Sequence, residues 1–328
     1  MAVLVTGGAG YIGSHMVLAL HDAGEEVVVL DNLSTGFRHV VPQDIPFHEG
    51  DSGNGDQVRE IIARHGIAAI IHFAASIVVP DSLSDPLGYY RNNTANTRSL
   101  IEAAIRGGVR HFIFSSTAAV YGDPPQIPVA EDAPAAPMSP YGWSKLMSEI
   151  MLRDAAHAHP LRYAVLRYFN VAGADPALRT GQSTPAATHL IKVAAQTALG
   201  LREGIAIFGR DYPTPDGTCI RDYIHVSDLV AAHAAALNHL RTGGESLTLN
   251  CGYGRGFSVK EVIDTVKAVS GTDFPVEYRS RRPGDPARIV AESLRARRML
   301  NWVPRFDDLP MIVAHALAWE EKLKKNNA

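Results

Sequence analysis

The sequence has few cysteines, no long apolar run and no excess of basic charge. Its two cysteines, Cys219 and Cys251, lie outside any Cys-x-x-Cys motif, so we predict a reducing compartment, no disulfide framework and no metal site. No run approaches the ~18 apolar residues of a membrane span, and no basic segment precedes the apolar residues 2–5. We therefore expect a cytoplasmic protein with no membrane partner. The net charge of -3 lacks the basic excess that nucleic-acid binding requires.

What the sequence does contain is an alternation of short apolar runs with longer amphipathic segments. The apolar runs lie at residues 3–5, 27–30, 69–71, 112–114 and 163–166, and helical patterns lie near 12–23, 54–65, 88–107 and 139–158. Buried strands that alternate with crossover helices are typical of a parallel sheet covered on both faces. We therefore predict an α/β fold with a Rossmann-type, doubly wound parallel sheet.

The pattern changes after about residue 170, where turn-rich segments appear. Helical patterns in this part lie near 187–200, 227–241 and 258–270. We predict a Rossmann domain over residues 1–170, to which the chain returns briefly later, and a smaller α/β domain over residues 171–328. In the first half, a run of prolines between Pro124 and Pro140 predicts an irregular surface loop.

Three glycines, Gly7, Gly10 and Gly13, follow the first predicted strand and open the first predicted helix. Small residues at this spacing let the backbone turn sharply and approach a pyrophosphate, while the helix N-terminus offers unpaired N–H groups to the anion. The second strand ends in Asp31, 18 residues after Gly13, where a carboxylate binds ribose hydroxyls and repels a 2′-phosphate. The pattern predicts a site for NAD rather than NADP.

Two further strands end in residues that can line the same edge of the sheet. Asp51 and Ser52 follow the third strand, and residues 73–75 follow the fourth. Because the carboxyl ends of parallel strands share one edge, we expect these residues beside the cofactor. We interpret His72, at the end of the fourth strand, as a buried and hydrogen-bonded residue rather than a catalyst.

A tyrosine and a lysine lie four residues apart in the helix predicted over residues 139–158. This spacing places Tyr141 and Lys145 on one helix face. A tyrosine has a pKa of about 10 in water, but an adjacent ammonium and a cationic nicotinamide both stabilise the phenolate and lower that pKa. Tyr141 is therefore a candidate general base. Residues 115–117, at the end of the fifth strand, supply hydroxyls that can hydrogen-bond the reacting oxygen.

The order of these motifs resembles that of the extended short-chain dehydrogenase/reductase family and, within it, of the UDP-glucose 4-epimerases. The resemblance rests on the segments TGGAGYIGSH, LDNLS, HFAAS, FIFSSTAAVYGD, SPYGWSK, LRYFN and IFGRDYPTPDGTCIRDYIHV, and it extends from Met1 to about Trp319. It implies an isomerase that interconverts UDP-glucose and UDP-galactose through a 4-keto intermediate, by reversible hydride transfer to tightly bound NAD.

The resemblance also implies roles for individual residues. Tyr141 is the implied base, Lys145 its electrostatic partner and a ligand of the cofactor ribose, and Thr117 a hydroxyl at the sugar. The residues implied at NAD are Gly7, Gly10, Tyr11, Ile12, Gly13, Asp31, Asn32, Asp51, Ser52, Phe73, Ala74, Ala75, Asn92, Ser115, Tyr141, Lys145 and Phe169. Those implied at the UDP-sugar are Thr117, Tyr141, Asn170, His189, Leu190, Ile207, Phe208, Arg221, Arg282 and Asp285.

On the same resemblance, the first domain binds NAD and the second mainly binds the UDP-sugar. The helices near 88–107 and 139–158 are implied to pair with their copies in a second subunit, which gives a homodimer. Both arginines of the implied substrate site can neutralise a diphosphate, and an aromatic ring can cover a uracil face.

Three positions bear on cofactor retention and sugar choice. Ile77 lies where members of the family can carry a lysine near the cofactor, and Thr117 lies where serine is also used. Ile289 matches a position whose side-chain size affects whether N-acetylated sugars fit, and its aliphatic side chain leaves such sugars open. A UDP-N-acetylhexosamine 4-epimerase therefore remains an alternative, as do UDP-pentose and UDP-uronate 4-epimerases, which use the same core machinery and differ only in the shape of the sugar pocket.

Two other functions are disfavoured by the sequence. A 4,6-dehydratase of this family needs an acidic pair just after the threonine, where this sequence has Ala118 and Ala119. A catalytically silent NAD sensor could lose Tyr141 or Lys145, but both residues are present.

Overall fold

The computed structural model describes residues 2–185, 187–282 and 284–326. Its strands are β1 (Ala2–Thr6), β2 (Val27–Asp31), β3 (Phe47–Glu49), β4 (Ile67–His72), β5 (His111–Thr117), β6 (Arg162–Tyr168), β7 (Asn170–Ala172), β8 (Ile205–Phe208), β9 (Ile220–His225), β10 (Leu247–Cys251), β11 (Gly256–Ser258), β12 (Val276–Arg279) and β13 (Arg288–Ile289). Its helices are α1 (Tyr11–Asp22), α2 (Gly55–His65), α3 (Val79–Ser84), α4 (Pro86–Tyr89), α5 (Asn96–Arg106), α6 (Pro140–Ala158), α7 (Leu190–Ala198), α8 (Val226–Arg241), α9 (Val259–Ser270), α10 (Leu294–Leu300) and α11 (Leu309–Asn326).

Seven strands form one sheet in the order β10-β6-β5-β4-β1-β2-β3, and all of its strand pairs are parallel. The central strand β1 is buried on both faces: Val3 and Val5 belong to one apolar cluster and Leu4 to the other. Side chains of α1 and α8 fill the first cluster, and those of α2 and α5 fill the second. The predicted α/β class and the doubly wound parallel sheet are confirmed.

The part of the chain beyond residue 170 contributes to the large sheet as well as to smaller ones. β10 lies late in the chain but pairs with β6 at the edge of the large sheet. A second sheet has the order β11-β9-β13, with β7 paired to β9, and β12 pairs with β8. The division at residues 170 and 171 stays a prediction.

The helix predicted over residues 88–107 is divided in the structure. A π-helical segment, Tyr90–Ala95, joins α4 to α5. In this segment the consecutive side chains of Asn92 and Asn93 both reach Ser76: Asn92 Nδ2 donates to Ser76 Oγ and Asn93 Nδ2 to Ser76 O, each at 2.9 Å. An inserted π turn changes the 3.6-residue period on which the prediction depended. The sequence pattern also does not predict α3 and α10.

The proline-rich loop before α6 is irregular, as predicted, but it is not confined to the surface. Val129 is fully buried, its N–H donates to Val290 O at 2.8 Å, and it forms an isolated parallel bridge with Ala291. Pro140, at the end of the loop, is the first residue of α6. The loop therefore fastens the C-terminal part of the chain to the region near β5.

No helix among the described residues has both the length and the apolar composition needed to cross a bilayer.

His72 is buried and hydrogen-bonded at the end of β4, which confirms the interpretation from sequence. Its Nδ1 lies 2.6 Å from Thr6 Oγ1, and its Nε2 lies 2.9 Å from Thr97 Oγ1. Thr97 donates its own hydroxyl proton to Asn93 O at 2.6 Å, so Nε2 of His72 is the donor to Thr97 and Nδ1 accepts from Thr6. Burial lowers the pKa of His72 to about 3.

This low pKa predicts an acid-dependent loss of stability. The pKa of His72 in the folded protein lies below the value of 6.5 for an unperturbed histidine, so the unfolded chain binds the proton first as the pH falls. The stabilisation is complete above pH 6.5 and decreases below it by about 1.4 kcal/mol per pH unit. The variant His72→Gln should therefore show a flatter decline in the free energy of unfolding between pH 6.5 and 5, measured by urea denaturation.

The matched control is His157→Gln, at an exposed position on α6, which should leave the pH slope of the wild type unchanged. If His72→Gln keeps the wild-type slope, the titration of this histidine does not limit acid stability.

Candidate active site

The three glycines form the turn between β1 and α1, and two of them are required by the backbone. Gly7 has φ +72°, and a Cβ there would lie 2.6 Å from Ala74 N; a Cβ at Gly13 would lie 2.0 Å from Gly7 O. Gly10 differs, because a Cβ there would meet only Gly7 O, at 3.3 Å. The space in front of Gly10 is therefore open, and α1 begins there without a side-chain cap. This cradle fits the pyrophosphate of a dinucleotide.

The two carboxylates predicted at the cofactor lie at the ends of neighbouring strands. Asp31 Oδ2 accepts from Ala9 N at 2.9 Å, and its Oδ1 accepts from Leu33 N at 2.8 Å. Asp51 Oδ1 accepts from Asn96 Nδ2 at 2.8 Å. An ionised carboxylate has about four lone-pair sites, so both side chains are held in place and keep acceptor capacity for ribose hydroxyls.

The remaining residues predicted at NAD follow the same sheet edge. Asn32 follows β2, Ser52 follows β3, Phe73, Ala74 and Ala75 follow β4, Ser115 lies near the end of β5, and Phe169 follows β6. Tyr11 and Ile12 are the first residues of α1, and the Tyr11 hydroxyl donates to Gly173 O at 2.7 Å. Ile77, beyond Ala75, is about half exposed. The structure brings these residues together as a parallel sheet edge predicts.

The predicted base and its partner lie on the first turns of α6. Ser139 caps this helix by accepting from Gly142 N at 3.2 Å, and Pro140 occupies the first helical position, where its missing N–H has no cost. Tyr141 and Lys145 are both buried. Their spacing of four residues places them on one face of the helix.

The third predicted catalytic residue, Thr117, ends β5 beside Tyr141, whose pKa it lowers. Thr117 Oγ1 accepts from Ala119 N at 3.1 Å, so its hydroxyl proton is available for the tyrosine oxygen. Lys145 Nζ donates to Ser115 O at 2.9 Å. The structure thus places both hydroxyls and the ammonium at the end of one strand.

In the protein alone, the pKa of Tyr141 is raised. Tyr141 is only 9% exposed, and burial raises its pKa, while the hydrogen bond with Thr117 lowers it by a smaller amount. Burial also lowers the pKa of Lys145 to about 7, against the raising effect of Glu149. The predicted lowering of the tyrosine pKa assumes a cationic nicotinamide beside the phenol, so it stays a prediction for the protein with NAD bound; in the protein alone, burial of the phenol is the larger effect. A lower pKa requires a further positive charge at this site.

The residues predicted at the UDP-sugar fall into two groups. In the first, Arg221 on β9 donates from Nη2 to Asp285 Oδ1 at 2.9 Å, and Ile289 on β13 is the register partner of Arg221. The guanidinium carbon of Arg282 lies 3.7 Å from the centroid of the Phe208 ring. Ile207, next to Phe208 on β8, is buried. This group combines two cations with an aromatic ring.

The second group lines a cavity between β7, α7 and α11. Asn170, His189 and Leu190 contribute to its wall, together with Tyr11 of α1 and Trp319 of α11. Burial lowers the pKa of His189. Because Tyr11 also belongs to the glycine-loop helix, residues predicted at the cofactor and at the sugar adjoin in this cavity.

Sequence reasoning missed Glu149, Arg167 and Tyr168 near the catalytic residues. Glu149 Oε2 accepts from Arg167 Nη2 at 2.6 Å, and the Tyr168 hydroxyl is hydrogen-bonded to Ser115 Oγ. Glu149 lies four residues after Lys145, so helical spacing could have identified it. The pairing with Arg167 joins a helix to a strand, and no local pattern signals it.

Known proteins resemble this chain in sequence and in structure. The model of the NAD dependent epimerase/dehydratase family matches residues 3–252. A UDP-glucose 4-epimerase of Azospirillum brasilense is 59% identical over 324 residues, which are 99% of this chain and 93% of the relative. The solved UDP-glucose 4-epimerase from Brucella ovis in complex with NAD is 43% identical, with a TM-score of 0.94 over 97% of each chain. That from Bifidobacterium longum, in complex with NAD+ and UDP, is 34% identical, with a TM-score of 0.93 over 98% of each chain.

Proposed function

Because this chain belongs to the NAD dependent epimerase/dehydratase family, we infer that it is an NAD-dependent isomerase that interconverts UDP-glucose and UDP-galactose. The observation that carries the reaction type is the placement of Tyr141 beside Thr117, which lowers its pKa, with Lys145 one helical turn away and bonded to the Ser115 carbonyl of the same strand end. These groups lie at the same sheet edge as the glycine loop. A base at that edge can act on a sugar hydroxyl next to the cofactor.

NAD, when bound, supplies a reversible acceptor for the hydride at C4 of the sugar. Tyr141 takes the proton of the 4-hydroxyl, Thr117 holds the same oxygen by a hydrogen bond, and Lys145 stabilises the phenolate. Inversion then requires that the 4-keto sugar expose its opposite face while the nucleotide stays bound.

Tight binding of the nucleotide is assigned to the group around β9. Arg221 and Arg282 neutralise the diphosphate, and Phe208 covers the uracil. The ion pair with Asp285 orients Arg221 before the substrate arrives, which reduces the entropy lost on binding. The sugar is assigned to Asn170, His189, Leu190 and the catalytic hydroxyls. It can therefore rotate while the group around β9 keeps UDP bound.

The function is tested by incubating the purified protein with UDP-glucose and separating the nucleotide sugars by chromatography. We expect UDP-galactose to appear without net consumption of NAD. Parallel incubations with a UDP-pentose, a UDP-N-acetylhexosamine and a UDP-uronate test the alternative sugars, of which Ile289 bears on the N-acetylated one. If none of these nucleotide sugars is epimerised, the assignment is wrong.

We also propose that a second copy of this chain covers the face formed by α5 and α6. Trp143, Met147 and Ile150 are exposed apolar residues at i, i+4 and i+7 on α6, so they form one stripe. The neighbouring groove between the two helices also carries Arg98 and Glu102, which pair at 3.0 Å. Charges of both signs on one apolar face suit an isologous interface, in which the same surface meets itself.

This proposal predicts that the wild type has twice the 35.4 kDa mass of one chain and that Met147→Glu has the mass of one chain. A buried, unpaired carboxylate on each side of the interface opposes association. Light scattering measures the mass. The matched control is Met299→Glu on α10, because Met147 and Met299 are both 39% exposed; it should remain dimeric. A monomeric wild type contradicts the proposal.

We also propose that the protein is cytoplasmic and acts in galactose metabolism. Both cysteines, Cys219 and Cys251, are buried free thiols. Free thiols are typical of proteins in reducing compartments.

A further inference from the structure

A buried ion pair, Glu149–Arg167, lies directly behind the proposed base. Glu149 is on α6, four residues after Lys145 and eight after Tyr141, which places all three on one helix face. The side chains of Arg167 and Glu149 are only 9% and 8% exposed. Arg167 Nη2 lies 2.6 Å from Glu149 Oε2, and Nε lies 3.0 Å from Oε1. This is a bidentate contact, the strongest geometry for such a pair.

The pair is joined to the end of β5 that carries the catalytic hydroxyl. Ser116 donates its hydroxyl proton to Glu149 Oε1, and Lys145 Nζ donates to the carbonyl oxygen of Ser115. The next residue of the strand is Thr117, which lies beside Tyr141. Glu149 and Lys145 thus bind consecutive residues of β5, Ser116 and Ser115. Displacement of Glu149 would therefore change the position of the strand end that carries Thr117.

The Arg167 nitrogen that does not contact Glu149, Nη1, is hydrogen-bonded to a residue that follows β5. Nη1 donates to the Tyr121 hydroxyl at 3.0 Å, and Tyr121 donates in turn to Asn250 Oδ1 at 2.7 Å. A guanidinium can only donate, which fixes this direction. Burying an ion pair gives little net stability compared with an apolar pair of similar volume. A role beyond stability is therefore reasonable for Glu149 and Arg167.

That role follows from the charges near Lys145. Two titratable groups interact with its charge, Glu149 on α6 and His72 on β4; Tyr141 lies on the same helix, and Arg167 and Tyr168 lie on β6, which packs against α6. Burial keeps His72 neutral, with a pKa of about 3, and raises the pKa of both tyrosines. Burial also lowers the pKa of Lys145 to about 7, and Glu149 opposes that effect. Glu149 is therefore the titratable group that favours the cationic form of this lysine, in addition to the Ser115 carbonyl and the ring of Phe114, whose centroid lies 5.0 Å from Nζ.

We propose that Glu149, clamped by Arg167, is a positioning residue of the reaction, which acts on Lys145, one turn earlier on the same helix face, and on its alignment with the end of β5. The inference rests on the proposed function, because Lys145 acts on the sugar through Tyr141. The proposal can be tested without measuring turnover, by titrating Lys145 with pH. The titration is observed through the 13Cε NMR resonance of Lys145, which is assigned by its absence from the spectrum of Lys145→Met.

The first test is Glu149→Gln, which keeps the shape of the side chain and removes its charge. We expect the titration midpoint of Lys145 to fall by about one pH unit. The alkaline limb of the kcat profile for UDP-glucose should move to lower pH by the same amount, with KM changed less than about twofold. The matched control is Glu60→Gln on α2, an exposed carboxylate paired with Arg64, which should leave both quantities unchanged.

The second test separates this role from a structural one. The double variant Glu149→Gln/Arg167→Met removes both charges and leaves no unpaired ion, so it should be more stable than Arg167→Met alone. We expect its Lys145 midpoint to remain low. A midpoint that is unchanged in Glu149→Gln, or one that returns to the wild-type value in the double variant, overturns the proposal. If Glu149→Gln does not fold, the double variant carries the test.

Failure of the proposed function gives a different result. In that case the wild type converts none of the nucleotide sugars, whereas the Lys145 titration still reports whether Glu149 controls the charge.

Discussion

Replacing Tyr141 with phenylalanine is expected to lower kcat for UDP-glucose by about 10²- to 10⁴-fold, which is the usual contribution of a positioned general base. The substitution removes one oxygen and keeps a ring that is buried at the start of α6. It deletes the partner of Thr117 and the atom assigned to accept the proton of the sugar hydroxyl. Because the nucleotide is assigned to residues around β9, KM should change much less than kcat. Chromatographic assay of the UDP-galactose formed measures both.

The matched control is Tyr168→Phe. Tyr168 also lies at this end of the sheet and is hydrogen-bonded to Ser115, but no proton of the substrate is assigned to it. We expect its kcat to fall less than about tenfold, since a neutral hydrogen bond is worth about 1 kcal/mol. A near-wild-type rate in Tyr141→Phe, or an equal loss in the two variants, shows that Tyr141 is not the base.

The parts of the fold that sequence predicts well are those with a strong local period. The runs at residues 3–5 and 27–30 lie within strands β1 and β2, because residues buried on both faces of a parallel sheet are almost continuously apolar. The helix predicted over 139–158 begins within one residue of α6, because Ser139 and Pro140 form a recognisable start signal. Local chemistry was sufficient at these positions.

The features that sequence does not predict depend on contacts between distant residues. The π segment before α5 is associated with Asn92 and Asn93 reaching the same serine, a contact that the 3.6-residue period does not encode. The direction of the Tyr141 pKa shift depends on how completely tertiary packing removes water, which a Tyr-x-x-x-Lys spacing does not specify. The strand β10 joins the large sheet from far along the chain, so no linear division into domains describes that sheet.

The variant Gly10→Ala is expected to weaken the binding of NAD by about 10²-fold and to leave the fold intact. Gly10 has φ -79° and ψ 178°, a conformation that any residue adopts. A methyl group there meets only Gly7 O, at 3.3 Å, so the fold is kept if this carbonyl shifts by a few tenths of an ångström. The same methyl group enters the open space at the start of α1, where a phosphate has to approach the backbone N–H groups. Loss of one or two such charged hydrogen bonds costs about 3 kcal/mol, which raises Kd by about 10²-fold.

Two other glycines separate loss of the ligand from loss of the fold. Gly55→Ala changes the first residue of α2, where the added Cβ would lie 3.4 Å from Arg59 Nη1, and it should bind NAD as the wild type does. Gly13→Ala would place a Cβ 2.0 Å from Gly7 O, so it should lower Tm in the absence of NAD as well. Calorimetric titration with NAD and the Tm of protein stripped of NAD distinguish the three variants. Wild-type affinity in Gly10→Ala means that the pyrophosphate does not bind at this turn, since the methyl group then fills a space that the cofactor does not use.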